Sequence, residues 1–298
     1  MNKTCIILAG PTAVGKTALA IPLAQHFSTA VISADSRQCY RELDIGVAKP
    51  TPAELQLVPH YFINTHSIFD EVTAAGFAEY ALETIYELFR KHDVVLMTGG
   101  TGLYLRAFMF GLDPVPPADP LLRKQLNDQF LEHGVLWLQL QLQELDPAFL
   151  ETDHQQNPHR LLRALEVVKL TGKPIRSFHS GIKAKRDFHI VPVALELPRK
   201  ILYERIENRV TTMMKSGLLA EAENLFPHQK LNALQTVGYR ELFAFFEGKC
   251  TLDEAISAIR QNTRHYAKRQ LTWFRRETDY HWMAPDFDTV LAYIASKI

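Results

Sequence analysis

Cysteine is scarce in this 298-residue chain: Cys5, Cys39 and Cys250 lie far apart, and none has a second cysteine at metal-ligand spacing. That argues against a disulfide framework and a zinc finger, and a reducing cytoplasm fits. Long apolar runs are missing too. No stretch approaches the roughly 18 consecutive apolar residues that suggest a membrane span, and the six-residue run after Met1-Asn2-Lys3 is too short for a secretory signal. A soluble intracellular protein is the expectation. Net charge is also absent, with 33 Lys and Arg against 33 Asp and Glu. The total hides an asymmetry: residues 1–149 hold 10 basic and 16 acidic residues, and residues 150–298 hold 23 and 17. A basic half beside an acidic one points toward a polyanion. There is no internal repeat and no low-complexity tract.

What is present follows the order of an α/β protein. The apolar run from Thr4 to Ala9 ends at Gly10 and reads as a buried strand of a parallel sheet. Lys16 to His26 has helical composition, with Pro22 placed to shorten or kink the helix. Thr29 to Ala34 reads as a second strand ending at Asp35. Thr73 to Lys91 carries a helical stripe at Phe77, Ala81, Ile85, Leu88 and Phe89. Asp93 to Thr98 is another buried strand, followed at once by Gly99-Gly100. This alternation predicts an α/β fold on a parallel sheet.

Four prolines between Gly111 and Pro120 mark a linker or hinge. Residues 121–133 and 159–171 are helical by pattern, the second ending at Thr171-Gly172-Lys173-Pro174. His189 to Leu197 looks like one more strand, and from Arg199 onward the pattern is helical nearly to the end. The expected organisation is a P-loop core of residues 1–117 and 199–298, including C-terminal helices. A mostly helical insertion domain is placed at 118–198, with the sheet resuming near Phe188.

Gly10-Pro11-Thr12-Ala13-Val14-Gly15-Lys16-Thr17 matches G-x-x-x-x-G-K-[ST] between a predicted strand and a predicted helix, the context this pattern requires. The glycines let successive backbone N–H groups turn toward phosphate oxygens, and the helix N-terminus adds its positive dipole end. Lys16 supplies a point charge, and the Thr17 hydroxyl can ligate Mg²⁺. Something with at least two linked phosphates is expected here. P-loop hydrolases normally place an acid at the end of a second strand. Here Val94-Val95-Leu96-Met97 runs into Thr98-Gly99-Gly100, which weighs against a hydrolysing motor or switch. Asp35 ends the other strand instead, at the strand ends where ligands of open parallel sheets bind. It can take a proton from an acceptor, or cap the next helix.

Arg260 to Arg276 holds six Lys or Arg, one His and no acid. Arg260, Arg264 and Lys268 share one helix face, and a nucleic acid would relieve their repulsion. Tyr266, Trp273 and Phe274 lie between them, either to stack on unpaired bases or to pack in the core. His159, Arg160 and Arg163 form a contact surface or merely a solvated face. Arg205 and Arg209 also share a helix face, and one of them can clamp a diphosphate.

Seven blocks occur in order: GPTAVGKT at 10–17, ISADSRQCY at 32–40, DIGVAKP at 44–50, GGTGLY at 99–104, RALEV at 163–167, VGYRE at 237–241 and YAKRQLTWFR at 266–275. Together they make the chain closely resemble the bacterial tRNA dimethylallyltransferases, or tRNA isopentenyltransferases, over essentially its whole length. The resemblance implies transfer of a dimethylallyl group from dimethylallyl diphosphate to N6 of adenosine 37, in the anticodon loop of tRNAs reading codons that begin with U. It implies that residues 10–17 hold the diphosphate leaving group rather than ATP. Lys16, Mg²⁺ on Thr17 and Arg209 would neutralise the developing charge, and Asp35 would take the N6 proton.

Contacts to tRNA are implied by the same resemblance for Asp35, Ser36, Arg37 and Gln38, and for Thr101 and Arg123. They are implied also for His159, Arg160, Leu161, Leu162 and Arg163, and for Gln235, Thr236, Val237, Gly238, Tyr239 and Arg240. The target base would flip out of the loop into a pocket between domains. The chain departs from the family pattern at Pro158, where an acidic residue is usual, and in VTAAGF at 72–77. A cytoplasmic monomer is expected. The alternatives are a small-molecule or nucleoside kinase, an isopentenyltransferase acting on free adenine nucleotides, and a nucleotide-regulated RNA-binding protein without chemistry.

Overall fold

The computed structural model describes residues 3–152 and 155–298, so Met1 and Asn2 lie outside the described residues. Six strands, β1 (Thr4–Ala9), β2 (Val31–Ser33), β3 (His60–Tyr61), β4 (Val94–Gly99), β5 (His189–Leu195) and β6 (His281–Met283), form one sheet in the order β3-β2-β4-β1-β5-β6. All neighbouring pairs are parallel. The unbroken apolar character of β1 has a simple cause. Cys5, Ile7 and Ala9 enter one core, Ile6 and Leu8 enter the other, and none has exposed surface. A strand covered on both faces has no side on which to place a polar residue.

Helices α1 (Lys16–His26), α2 (Pro52–Leu57), α3 (Ala74–Phe89) and α4 (Gly102–Phe110) precede the proline-rich segment, and α5 (Pro120–Leu145) and α6 (Pro158–Thr171) follow it. After β5 come α7 (Arg199–Lys215), α8 (Leu218–Leu225), α9 (Tyr239–Phe246), α10 (Leu252–Arg276) and α11 (Phe287–Ala295). Phe77, Ala81 and Ile85 of α3 pack in one core with Phe108 of α4 and Ile259 of α10. Leu19, Leu23 and Ala24 of α1 pack in the other with Leu202 and Ile206 of α7 and Ile294 of α11. Pro22 does not break α1; Ala18, whose carbonyl would have been its partner, is exposed to water.

Two compact units result. One takes residues up to Phe110 and from Lys185 onward, and the other is Gly111–Ala184. The expected insertion limits of 118 and 198 are therefore corrected at both ends. β5 belongs to the sheet because it pairs with β1 along its length, and the proline-rich segment joins the helical unit, where Arg163 donates to the carbonyl of Pro116. In that unit Leu126, Leu138 and Leu142 of α5 meet Leu161, Leu165 and Val168 of α6. The helix expected at 121–133 continues to Leu145 but is interrupted at Gly134, which has a φ of 75°. Asn157 caps α6 by accepting from Arg160 N–H at 3.3 Å. In the sheet-bearing unit, Arg186 donates from Nε to Phe108 O at 2.7 Å and from Nη2 to Ala107 O at 3.3 Å. This ties the end of α4 to the segment entering β5. No helix among the described residues is long and apolar enough to cross a membrane. All three cysteines are free thiols.

Candidate active site

The phosphate loop turns between β1 and α1 with Gly10, Ala13 and Gly15 at φ of 148°, 65° and 109°. A Cβ on Gly10 would lie 2.8 Å from Leu195 O, so the close approach of β5 requires glycine there. Lys16 Nζ donates to Gly10 O at 3.0 Å and Pro11 O at 2.8 Å. Burial lowers its pKa to about 8, with Asp35 opposing the shift and Arg209 adding to it. The two arginines of α7 are separated by role. Arg205 Nη1 donates to Val14 O at 3.0 Å and braces the loop, whereas Arg209 lines the cavity. Burial also lowers the Arg209 pKa, and Asp35 raises it.

That cavity, of about 360 Å³, opens at the carboxyl ends of the strands and includes Lys16, Thr17, Asp35 and Arg209 in its lining. Val47, Val210, Met213, Leu218 and Ile259 supply an apolar wall that the sequence did not reveal. Asp35 Oδ1 accepts from the N–H groups of Arg37 at 2.9 Å and Gln38 at 3.3 Å. Asp35 thus caps the segment after it, which is a turn rather than a helix, and also faces the cavity. Thr101 Oγ1 accepts from Ser36 N–H at 3.1 Å. Arg37 reaches Asn232 O at 3.0 Å. The amide of Gln38 donates to Ala48 O at 3.0 Å and Val47 O at 3.3 Å.

The loop carrying those carbonyls is held by Glu221, a residue the sequence gave no reason to single out. Its carboxylate accepts from the N–H groups of Asp44 at 3.1 Å, Ile45 at 2.8 Å and Gly46 at 2.9 Å, and from the Tyr239 hydroxyl at 2.6 Å. Tyr239 has no exposed surface, and a Cβ on Gly46 would come within 2.6 Å of its ring. The side chain expected to touch tRNA therefore packs inside the fold, where its hydroxyl is satisfied by the half-buried Glu221. Thr236, Val237 and Gly238 line the cavity, and Gln235 and Arg240 are exposed.

Within the helical unit, Leu161 is likewise corrected to a core residue with no exposed surface. Its neighbour Leu162 is half-buried, and His159 and Arg160 are exposed. Arg123 and Arg163 meet on one oxygen of the buried Glu166, at 2.8 Å and 2.6 Å.

The basic helix is less uncompensated than its own residues suggest. Arg260 pairs with Glu207 of α7 at 3.2 Å, and Arg264 pairs with the same carboxylate. Lys268 and Arg269 are exposed, and neither has a carboxylate partner among the described residues. Phe274 is fully buried, and Trp273 is half-buried against Gly102, where a Cβ would overlap the indole. Tyr266 keeps 37% of its surface and lines the cavity. Gln270, also unmarked by the sequence, accepts from Thr12 N–H at 2.8 Å and donates to Gly100 O at 2.9 Å.

No group of three His, Cys, Asp or Glu among the described residues is arranged to hold a metal ion. The side-chain oxygens lining the cavity include the Thr12 and Thr17 hydroxyls and the Asp35 and Glu54 carboxylates, while the Thr98 hydroxyl near the end of β4 donates to Leu8 O at 3.2 Å. A set of oxygens without a preformed cluster suits Mg²⁺, which keeps several waters and takes further ligands from phosphates.

A family model described as IPP transferase matches residues 38–277. The tRNA dimethylallyltransferase of Christiangramia forsetii is 47% identical over 300 residues, covering 100% of this chain and 99% of its own. That of Cytophaga hutchinsonii is 44% identical, covering 100% and 98%. Among solved structures, the full-length tRNA isopentenylpyrophosphate transferase of Bacillus halodurans matches with a TM-score of 0.71 and 35% identity, over 99% of this chain and 95% of that one. A eukaryotic dimethylallyltransferase acting on tRNA matches with a TM-score of 0.79 and 25% identity, over 99% and 77%. A phosphate loop, a strand-end aspartate and an apolar wall around one cavity thus accompany full-length similarity, and the chain belongs to the IPP transferase family, alongside the bacterial tRNA dimethylallyltransferases.

Proposed function

We propose that the protein transfers the dimethylallyl group of dimethylallyl diphosphate to N6 of adenosine 37 in tRNAs reading codons that begin with U, releasing diphosphate. The observation that carries this reading is the composition of one cavity: Lys16 and Arg209 for the diphosphate, an apolar wall for the dimethylallyl chain, and Asp35 for the acceptor. The absence of an acid at the end of β4 supports it, because this chemistry positions no hydrolytic water.

An adenine amino group is a poor nucleophile, so the reaction depends on an easily departing diphosphate. The amides of the phosphate loop, the Lys16 ammonium and the Arg209 guanidinium take up the charge that grows as the allylic C–O bond breaks. Thr17 would hold Mg²⁺, which would add to that neutralisation when bound. N6 forms its bond to the allylic carbon as the C–O bond opens, and its proton passes to Asp35. Because two backbone N–H groups occupy Oδ1, the accepting oxygen is Oδ2.

Asp35, Ser36, Arg37, Gln38 and Thr101 hold the target base. Gln235, Thr236, Val237, Gly238 and Arg240, with the helical unit's Arg123, His159, Arg160, Leu162 and Arg163, hold the rest of the anticodon stem-loop. The protein acts as a cytoplasmic monomer.

Incubation with dimethylallyl diphosphate, Mg²⁺ and unmodified tRNA, followed by nucleoside mass analysis, should yield isopentenyl-adenosine. Conversion of ATP to ADP with some acceptor, without that nucleoside, would return the protein to the kinases. Prenylation of free AMP in preference to tRNA would make it an adenylate isopentenyltransferase.

A further inference from the structure

The structure points to a role for Gln270 that we propose here: it is a positioning residue that sets the separation between the phosphate loop and the Asp35 turn. The inference rests on the transfer reaction proposed above and adds a residue to it. Gln270 sits on α10, far along the chain from both loops, and is almost completely buried. Its Oε1 accepts from Thr12 N–H at 2.8 Å, and its Nε2 donates to Gly100 O at 2.9 Å. The two partners require opposite functions of one side chain, and a primary amide supplies both.

The bridge continues to the acceptor side. Gly100 belongs to the turn after β4. The next residue, Thr101, donates its N–H to Ala34 O at 3.2 Å and accepts at Oγ1 from Ser36 N–H at 3.1 Å. Ala34 and Ser36 flank Asp35. The loops after β1, β4 and β2 are therefore connected in series, from the phosphate loop through Gln270 to the glycine turn, and through Thr101 to the Asp35 turn. The paired glycines fit this reading. A Cβ on Gly100 would overlap Gln270 Nε2, and one on Gly99 would overlap Ala34 O. Both residues lack side chains where neighbouring loops must approach.

The allylic carbon is tethered to the phosphate loop through its diphosphate, and the attacking nitrogen is held by Asp35. In-line attack needs those two anchors at one separation, and a misplacement of about 1 Å costs roughly 10²-fold in rate. Gln270 borders the cavity, but both ends of its amide are committed to the loops, and it acts through them.

Gln270→Leu keeps the bulk and removes both hydrogen bonds. It is expected to lower kcat by roughly 10- to 100-fold, while the KM for dimethylallyl diphosphate and for tRNA changes less than about threefold. Gln270→Glu keeps the acceptor for Thr12 but sets a carboxylate oxygen against Gly100 O. Protonation of that carboxyl restores the donor, so the kcat of Gln270→Glu relative to wild type should rise as pH falls from about 8 to about 6. A stable, correctly folded Gln270→Leu protein with kcat within twofold of wild type overturns the proposal. So does a Gln270→Glu ratio that stays flat with pH, which covers the case in which the leucine variant does not fold. Wild-type protein that prenylates no tRNA removes the reaction and this role together, whereas active wild type with an unimpaired leucine variant removes the role alone.

Discussion

Raising the pH from about 7 to about 9 should weaken the binding of dimethylallyl diphosphate about tenfold, because the loop lysine discharges across that interval. Burial places the Lys16 pKa at about 8. The ammonium is then about nine-tenths populated one unit below that value and about one-tenth populated one unit above it, a difference of about 1.4 kcal/mol. A diphosphate favours the ammonium and raises its pKa in the complex. Affinity is thus fully present below about pH 8 and declines, with a limiting slope of one decade per unit, above it.

Folding stability moves in the opposite direction. A lysine whose folded-state pKa is lowered lets the unfolded chain bind more protons, so this group's contribution to stability improves as pH rises from about 8 toward the ordinary 10.5. Loss of affinity in that window is therefore not attributable to Lys16-linked unfolding. Titration calorimetry at constant ionic strength, in two buffers of different ionisation enthalpy, measures both the affinity and the protons taken up. Lys16→Arg keeps its charge throughout and should bind more weakly but with a nearly level profile. A wild-type Kd that changes less than twofold between the two pH values, or an arginine variant with the same slope, refutes the reasoning.

Asp35→Asn should retain tRNA binding while single-turnover prenylation falls by roughly 10² to 10⁴; unaltered turnover excludes the carboxylate as the proton acceptor. Tyr239→Phe removes a 2.6 Å hydrogen bond to Glu221, a loss of about 1.5–3 kcal/mol for a bond to a charged acceptor. Scanning calorimetry should show a lower thermal midpoint, and an unchanged midpoint contradicts the assignment. Lys268→Glu should weaken tRNA binding and flatten its salt dependence. Arg264→Glu should do so less, because Glu207 already pairs with Arg264, and equal changes of slope in filter-binding assays would count against that distinction.

What could be read along the chain was local. The apolar run of β1, the glycine pattern of the loop and the following helix each declare themselves within a few residues, and so does the stripe of α3. β3 and β6 escaped notice because two and three residues show no period and, unlike the equally short β2, neither is followed by a marker such as Asp35. Residues whose partners are remote in sequence were harder to interpret. Arg205 and Arg209 lie one turn apart on α7, and only the fold shows the first bracing Val14 O while the second enters the cavity. Glu207 lies 57 positions before Arg264, so the basic helix looked uncompensated. Resemblance marked Tyr239 and Leu161 as members of contact segments without distinguishing a segment's exposed side chains from those that hold it in place. Glu221 carries no motif of its own; its importance arises from three successive amides that sit elsewhere in the chain.

The clamp made by Arg186 bears on how such a molecule can change over time. A single guanidinium joins the place where the polypeptide leaves the sheet-bearing unit to the place where it returns. Departure and re-entry are therefore stitched together before any of the intervening 111–184 is considered. That arrangement makes the intervening stretch a graft on a closed stem, open to lengthening, shortening or replacement while the sheet-bearing unit keeps its register.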